Sequence, residues 1–253
     1  MRDPRFFVLV ALPLALFAVA CGASAVRGTS SEATPAPVRH CRSGVTPVGT
    51  HRVAFAALVR KSVRVYRRPG RRAFASFGLR NVNGFPTVFS VRAAVRGRDC
   101  RASWYRVQVP LRPNGVSGFV RAQDVRLGAV RMRIAVSVSR RRLTLFRYGR
   151  PVLQTTVAVG SPATPTPTGN FYVNQRLVPS DPTGPFGPGA IGVSAFSNVL
   201  TGWTQGGPIA IHGTNEPWSI GHDVSNGCIR VRNDVLRRLF ASTPAGTPVL
   251  IRP

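Results

Sequence analysis

One stretch, HGTNEPWSIGHDVSNGCIR at residues 212–230, concentrates the side chains best suited to chemistry. His212, followed by Gly213, stands sixteen residues ahead of Cys228; Ser225, Asn226 and Gly227 precede that cysteine, and Arg230 lies two residues beyond it. A cysteine attacks only as thiolate, so a nucleophilic Cys228 needs a base or electropositive surroundings. His212 leaves an expected strand (residues 208–211) at a glycine, where the chain can turn sharply. Gly227 allows a similar bend, so that two successive amides can face one point, a common way to build an oxyanion hole. If the segment after Cys228 is extended, Arg230 shares its strand face, where a guanidinium lowers a thiol pKa or holds a carboxylate. A metal site needs at least three clustered ligands. Only His212, His222 and Cys228 are candidates, without the usual short ligand pairs, so no metal is expected. His222, a rival base, sits between Gly221 and Asp223 and reads as solvated. Ser225 reads as a hydrogen-bonding support, and Trp218 either stacks on a ligand or caps the loop.

The elements that must position these residues are mostly strands. In residues 46–128, SVRVYRR, TVFSVRAAV, SWYRVQVPL and SGFVRAQDV are β-type runs separated by RPG, NVNGFP and RPNG. A small barrel of five to seven strands is the economical fold for them. From residue 131, RIAVSVS, RLTLFRY and LQTTVAVG alternate apolar and polar residues as half-buried strands do. SPATPTPTGNFYV carries prolines that exclude helix and central strand. The Gly/Pro-rich PSDPTGPFGPGAIGVSAFSN reads as an ordered loop because aromatic residues run through it. NDVLRRLFAS is the one expected helix, with Asn233 as N-cap, Asp234 in its first turn and Val235, Leu236, Leu239 and Phe240 on one face. TPVLIRP closes the chain as a last strand.

Composition bounds the setting. The 253 residues are 43% apolar, which suits a folded chain. Thirty-five Lys and Arg face 8 Asp and Glu, a formal charge of +27, and Lys61 is the one lysine. Such a surface favours polyanions. At the N-terminus, Arg2 and Arg5 precede an uncharged run over residues 6–20 that is too short for a comfortable span and suits a signal peptide. AVAC at residues 18–21 resembles a bacterial lipoprotein box, so residues 1–20 read as signal peptide and Cys21 as the lipidated residue. Residues 21–45, rich in Ser, Ala, Thr and Pro, read as a tether. An exported chain does not meet genomic DNA, so membrane and wall polyanions are the expected partners rather than nucleic acid. An oxidising compartment permits Cys41 and Cys100 to pair, which leaves Cys228 as an odd, reactive thiol.

IHGTN…SIG…SNGCIRV resembles the signature of the L,D-transpeptidase catalytic domain family. TPTPTGNFYV, GPFGPGAIGV and RRRLTLFRYGRPV resemble further segments of it, and the resemblance covers residues 133–253 of an expected domain at residues 131–253. WYRVQVPLRPNGVSGFVRAQDV resembles, more loosely, the final hairpin and closing strand of bacterial SH3-like wall-associated domains. The implied fold is mainly β: a small SH3-like barrel, then an L,D-transpeptidase-type β-sandwich or barrel with one short helix after the cysteine. By position, the resemblance implies Cys228 as nucleophile and His212 as base, oriented by the Gly213 carbonyl. It also implies the Gly227 and Cys228 amides as oxyanion hole, with Ser225 and Arg230 in support. The family usually carries a second histidine before Gly-Cys, and here that position is Asn226. The implied reaction is acyl transfer between peptidoglycan stem peptides, through a thioester on Cys228, by a monomer without cofactor. Alternatives are an L,D-carboxypeptidase, with water as acceptor, and a wall-binding lipoprotein whose site has decayed. Wall endopeptidases with SH3-like domains place their cysteine before the histidine, and sortases place the histidine farther upstream.

Overall fold

Short runs of alternating apolar and polar residues form strands throughout the computed structural model, which describes residues 43–253. The expected signal segment, tether, Cys21 and Cys41 lie outside the described residues. A first sheet takes β1 (Gly44–Pro47), β2 (Ala54–Val59), β3 (Val63–Tyr66), β4 (Ala73–Phe77), β5 (Val88–Arg96), β6 (Ala102–Gln108), β7 (Ser117–Arg121) and β8 (Val125–Val130). Its order is β4-β3-β7-β6-β5-β2-β8, with β1 also paired to β5. The inward residues of these strands, among them Ala57, Val65, Phe89, Val107 and Val120, converge on one apolar cluster. The sheet has eight strands rather than the expected five to seven, and among the described residues no ladder joins β4 to β8, so it stays open. Strand alternation reveals a buried face but not whether the sheet's two ends meet.

The second sheet follows at once. It contains β9 (Met132–Ser137), β10 (Arg142–Arg147), β11 (Arg150–Thr156), β13 (Gly169–Leu177), β14 (Ala190–Phe196), β15 (Pro208–His212), β17 (Ile229–Arg230) and β18 (Pro248–Arg252). The short β12 (Val159–Gly160) and β16 (Asp223–Ser225) pair in parallel beside it. The order is β11-β10-β9-β18-β13-β14-β15-β17. β18 is parallel to β9 and antiparallel to β13, so it joins the two halves of the sheet. The one α-helix among the described residues, α1 (Asn233–Ser242), drives Leu236 and Leu239 into a core built from Ile134, Val173, Ile191 and Val249. Its N-cap is Arg232, which makes no side-chain capping bond; Asn233, expected there, is the first helical residue. Asp234 stands in the first turn, where a carboxylate favours the positive end of the helix dipole.

The two sheets meet through a few polar contacts. Gln108 Nε2 donates to Asn170 O at 2.7 Å, and Asn81 Nδ2 to Gln175 Oε1 at 2.7 Å. In the turn between β6 and β7, Asn114 takes both backbone groups of Phe196, donating to its O at 2.8 Å and accepting from its N at 2.9 Å. Arg112 donates to Ser197 O at 2.7 Å and also to Gly206 O. Beside these, Ala56, Val88 and Val130 pack with Met132 and Ala245.

Candidate active site

Period-two alternation divides β15 and β17 into two faces. Ile209, Ile211, Ile229 and Val231 enter the core. Ala210, His212, Cys228 and Arg230 therefore occupy the opposite face. The strands run parallel, pairing Ile211 with Ile229 and His212 with Arg230. One step back along this register sets Ala210 beside Cys228, and a backbone hydrogen bond from Ala210 reaches the cysteine. His212 and Cys228 thus sit diagonally on neighbouring strands, a spacing of roughly 7–8 Å that long and aromatic side chains bridge.

His212 is 5% exposed. Its Nδ1 lies 2.5 Å from the Gly213 carbonyl oxygen. A carbonyl can only accept, so Nδ1 carries the proton and Nε2 the lone pair. Burial pushes the imidazole pKa down from 6.5 to about 4; the Gly213 bond opposes this and Arg230 adds to it. The ring is therefore neutral at pH 7 and able to accept a proton. Phe186, from the loop between β13 and β14, meets it edge-on with centroids 4.9 Å apart. Gly213 is packed so closely that a Cβ there would lie 2.9 Å from Pro188 Cδ and 3.1 Å from Phe186 O.

Cys228 is half-buried and is the free cysteine of the described residues; Cys100 is disulfide-bonded. Burial raises the thiol pKa, with the Ala210 hydrogen bond and Arg230 opposing. Burial thus favours the uncharged form of both the thiol and the imidazole.

The turn before Cys228 is braced by Ser225. Its buried hydroxyl donates to Cys228 O at 2.6 Å and accepts from Gly227 N at 3.2 Å. That bond ties the Gly227 amide into the turn. Gly227 has φ +103°, a left-handed backbone that suits glycine. The proline-rich segment supports this turn from outside, with Thr164 Oγ1 donating to Ser225 O at 3.0 Å and Ser161 N to the same oxygen at 2.9 Å. Asn226 and His222 are exposed. Trp218 is 64% exposed.

Two residues were not assigned to the site from the sequence. Glu216 forms an ion pair with Arg230, holding the guanidinium on the His212 face. Asn233 Oδ1 accepts from Thr214 N at 2.8 Å, tying the loop after His212 to the start of α1. Neither contact has a local signature, since each joins residues fourteen or nineteen apart through a loop. Among the described residues no three His, Cys, Asp or Glu side chains cluster as metal ligands.

A neutral buried imidazole with its lone pair on Nε2 thus shares one sheet face with a half-buried thiol. Residues 131–251 match the model of the YkuD family, the L,D-transpeptidase catalytic domain. Relatives include the proteins that share the family's name, YkuD, of Bacillus subtilis, 42% identical over 47% of this chain and 64% of that one, and of Bacillus licheniformis, 41% identical over 48% and 66%. The chain thus spans just under two thirds of the length of these relatives. The catalytic domain of the Enterococcus faecium L,D-transpeptidase is 25% identical, covering 47% of this chain and 95% of that domain, with a TM-score of 0.36.

Proposed function

We propose that the chain is a peptidoglycan L,D-transpeptidase with Cys228 as nucleophile and His212 as base. The observation that carries this reading is the His212 Nδ1 bond to the Gly213 carbonyl, which leaves Nε2 as the only ring atom able to take the thiol proton. Cys228 Sγ attacks the carbonyl carbon of the third residue of a tetrapeptide stem as its proton passes to His212. The C–N bond to the terminal D-Ala then breaks, His212 returns the proton to the leaving amine, and the stem remains as a thioester. The side-chain amine of a diamino acid in a neighbouring stem attacks the thioester, forming the cross-link and releasing the thiol. His212 serves as base without a second histidine, because its own tautomer and burial already make it an acceptor; Asn226 does not take part in proton transfer. Arg230, held by Glu216, keeps a positive charge near the thiol as it ionises.

The same reading places the protein outside the cytoplasmic membrane, lipidated at Cys21 and tethered by the following residues, with a Cys41–Cys100 disulfide and a first sheet of SH3-like wall-associated type. The excess of arginine suits anionic wall polymers. The test is incubation with a disaccharide-tetrapeptide and mass spectrometry of the products, for wild type, Cys228→Ser, His212→Ala and Asn226→His. A dimer lacking one D-Ala, absent from the first two variants, is the expected result. D-Ala release without dimer makes the enzyme a carboxypeptidase. A wild type that is inert until Asn226→His is introduced defeats the reading in favour of a wall-binding protein.

A further inference from the structure

Ile134 and Val136 of β9, Leu143 and Leu145 of β10 and Val249 and Ile251 of β18 point into the core. Their neighbours in each strand face the other way. Where β10, β9 and β18 lie side by side, those outward residues line a trough of about 500 Å³, within the roughly 300–1,000 Å³ usual for ligand sites. Its floor is a row of three residues paired across the strands, Thr144, Ala135 and Leu250. A second row, Arg142, Ser137 and Arg252, is paired in the same way at one end. Arg133, opposite Phe146, stands at the other end, where it donates to Thr50 O at 3.5 Å. Arg140, in the turn between β9 and β10, and His51 complete the basic lining. Beside the floor, Gln154 Nε2 donates to Thr144 Oγ1 at 3.2 Å.

This lining carries four arginines and no acidic side chain. Of the chain's 8 acidic residues, Asp3 and Glu32 lie outside the described residues, and the other six are engaged elsewhere. Asp223, Glu216, Asp234 and Asp124 pair with Arg141, Arg230, Arg232 and Lys61 respectively. Asp99 and Asp181 accept hydrogen bonds within their own turns. Arg140, Arg142 and Arg252 are exposed and have no ion pair among the described residues. Like charges gathered without a counter-charge repel one another, and a bound anion relieves that repulsion. Guanidinium groups hold phosphate in particular through paired N–H···O bonds.

The spacing selects the shape of the ligand. Arg133 and Ser137 are four residues apart on β9, roughly 13 Å, so no single phosphate reaches both ends. Arg142 and Arg252 are two strand spacings apart, about 10 Å, and their long side chains can converge on a phosphate above Ser137. Between the ends, the Thr144 hydroxyl and Gln154 carboxamide offer neutral donors and acceptors, which fit the hydroxyls of a linker rather than further charge. Nucleobases would need exposed aromatic rings to stack on, and Phe146 is half-buried. The trough also stands apart from the reactive pair. β18 and β15 are three strand spacings apart, about 14 Å, and Gln108 of the first sheet bonds to Asn170 of β13 between them.

We propose that this trough binds a linear polymer of polyols joined by phosphodiesters, with a phosphate at each arginine-bearing end and linker hydroxyls over the floor. The site is independent of the transpeptidase reading, and it is narrower than the general attraction of an arginine-rich chain for polyanions. The full chain in mild detergent is titrated by calorimetry with a synthetic hexamer of glycerol phosphate over a series of NaCl concentrations. Two double variants accompany it: Arg142→Gln with Arg252→Gln in the trough, and Arg71→Gln with Arg72→Gln in the exposed, equally basic turn between β3 and β4. Both remove the same charge. Losing the phosphate held between Arg142 and Arg252 should make the slope of log K against log salt shallower by about 0.7 and weaken binding roughly fivefold or more at about 0.1 M salt. The β3–β4 variant should bind as the wild type does, and both should keep the wild-type Tm. Absence of hexamer binding by the wild type, or equal weakening in the two variants, overturns the proposal. So does equally tight binding of polygalacturonate or of a single-stranded oligonucleotide of matched charge, since neither is a polyol phosphate. Binding that appears only when phosphatidylglycerol is added to the micelles makes the partner a membrane surface and likewise overturns it.

Discussion

The depressed pKa of His212 makes a prediction about folding stability as well as about rate. In the unfolded chain the imidazole titrates near 6.5; in the folded protein burial lowers this to about 4. Between these values the unfolded state binds a proton that the folded state does not, so stability contributed by neutral His212 is present above pH 6.5 and is lost as pH falls toward 4. At roughly 1.4 kcal/mol per unit, cooling effects aside, acidifying from pH 7.5 to 4.5 should cost about 2 to 3 kcal/mol from this one residue. Asp181 and Asp223, whose carboxyls are held below the usual range by Thr183 and Arg141 respectively, also lose stability in acid. A difference measurement removes their share. Urea unfolding at both pH values, on wild type and His212→Gln, should show the wild type losing about 2 to 3 kcal/mol more than the variant. Equal losses, or an imidazole NMR titration in wild type with a midpoint near 6.5, would refute the account of His212 as a buried neutral base. The same shift sets the acid limb of acylation near pH 4, well below that of a solvated histidine.

Other outcomes follow from individual contacts. Ser225→Ala removes the donor to Cys228 O and the acceptor for Gly227 N; it should lower stability by about 1–3 kcal/mol in urea unfolding and reduce the acylation rate. Gly213→Ala forces a Cβ against Pro188 and the Phe186 carbonyl, and should cost about 1–3 kcal/mol by overpacking, seen as a lower Tm. Arg230→Met removes a charge that lowers the thiol pKa, so labelling of Cys228 by iodoacetamide at pH 8 should slow several-fold; unchanged labelling would remove Arg230 from the thiol's surroundings. Cys228→Ser leaves no sulfur to carry a thioester, so acyl-enzyme in the mass spectrum should fall by roughly a thousandfold or more.

Much of the site was legible because its spacing is local. The alternation of Ile209, Ile211 and Ile229 with His212 and Cys228 can be read directly, as can the helix from Asn233 to Ser242. What escaped depends on contacts between distant residues. Asn233 looks like a cap, yet its side chain bonds the Thr214 amide instead, because the loop after His212 folds back onto the helix start. Glu216 is one acidic residue in a polar loop, and only the parallel register of β15 and β17 brings its partner Arg230 beside His212. The strands of the first sheet were readable, but its openness was not, because closure depends on register across the whole sheet.

The place of β18 has a consequence for how the protein is made. Without it, β11-β10-β9 and β13-β14-β15-β17 are two separate ribbons. The last strand in chain order is thus the seam between them, and its pairing with β9 spans more than a hundred residues of chain. During synthesis the first sheet can form as soon as β8 emerges, and β15 can pair with β17 inside their own ribbon, whereas the two ribbons become one sheet only once β18 is available. The strands that carry His212 and Cys228 can thus pair before the two ribbons are joined.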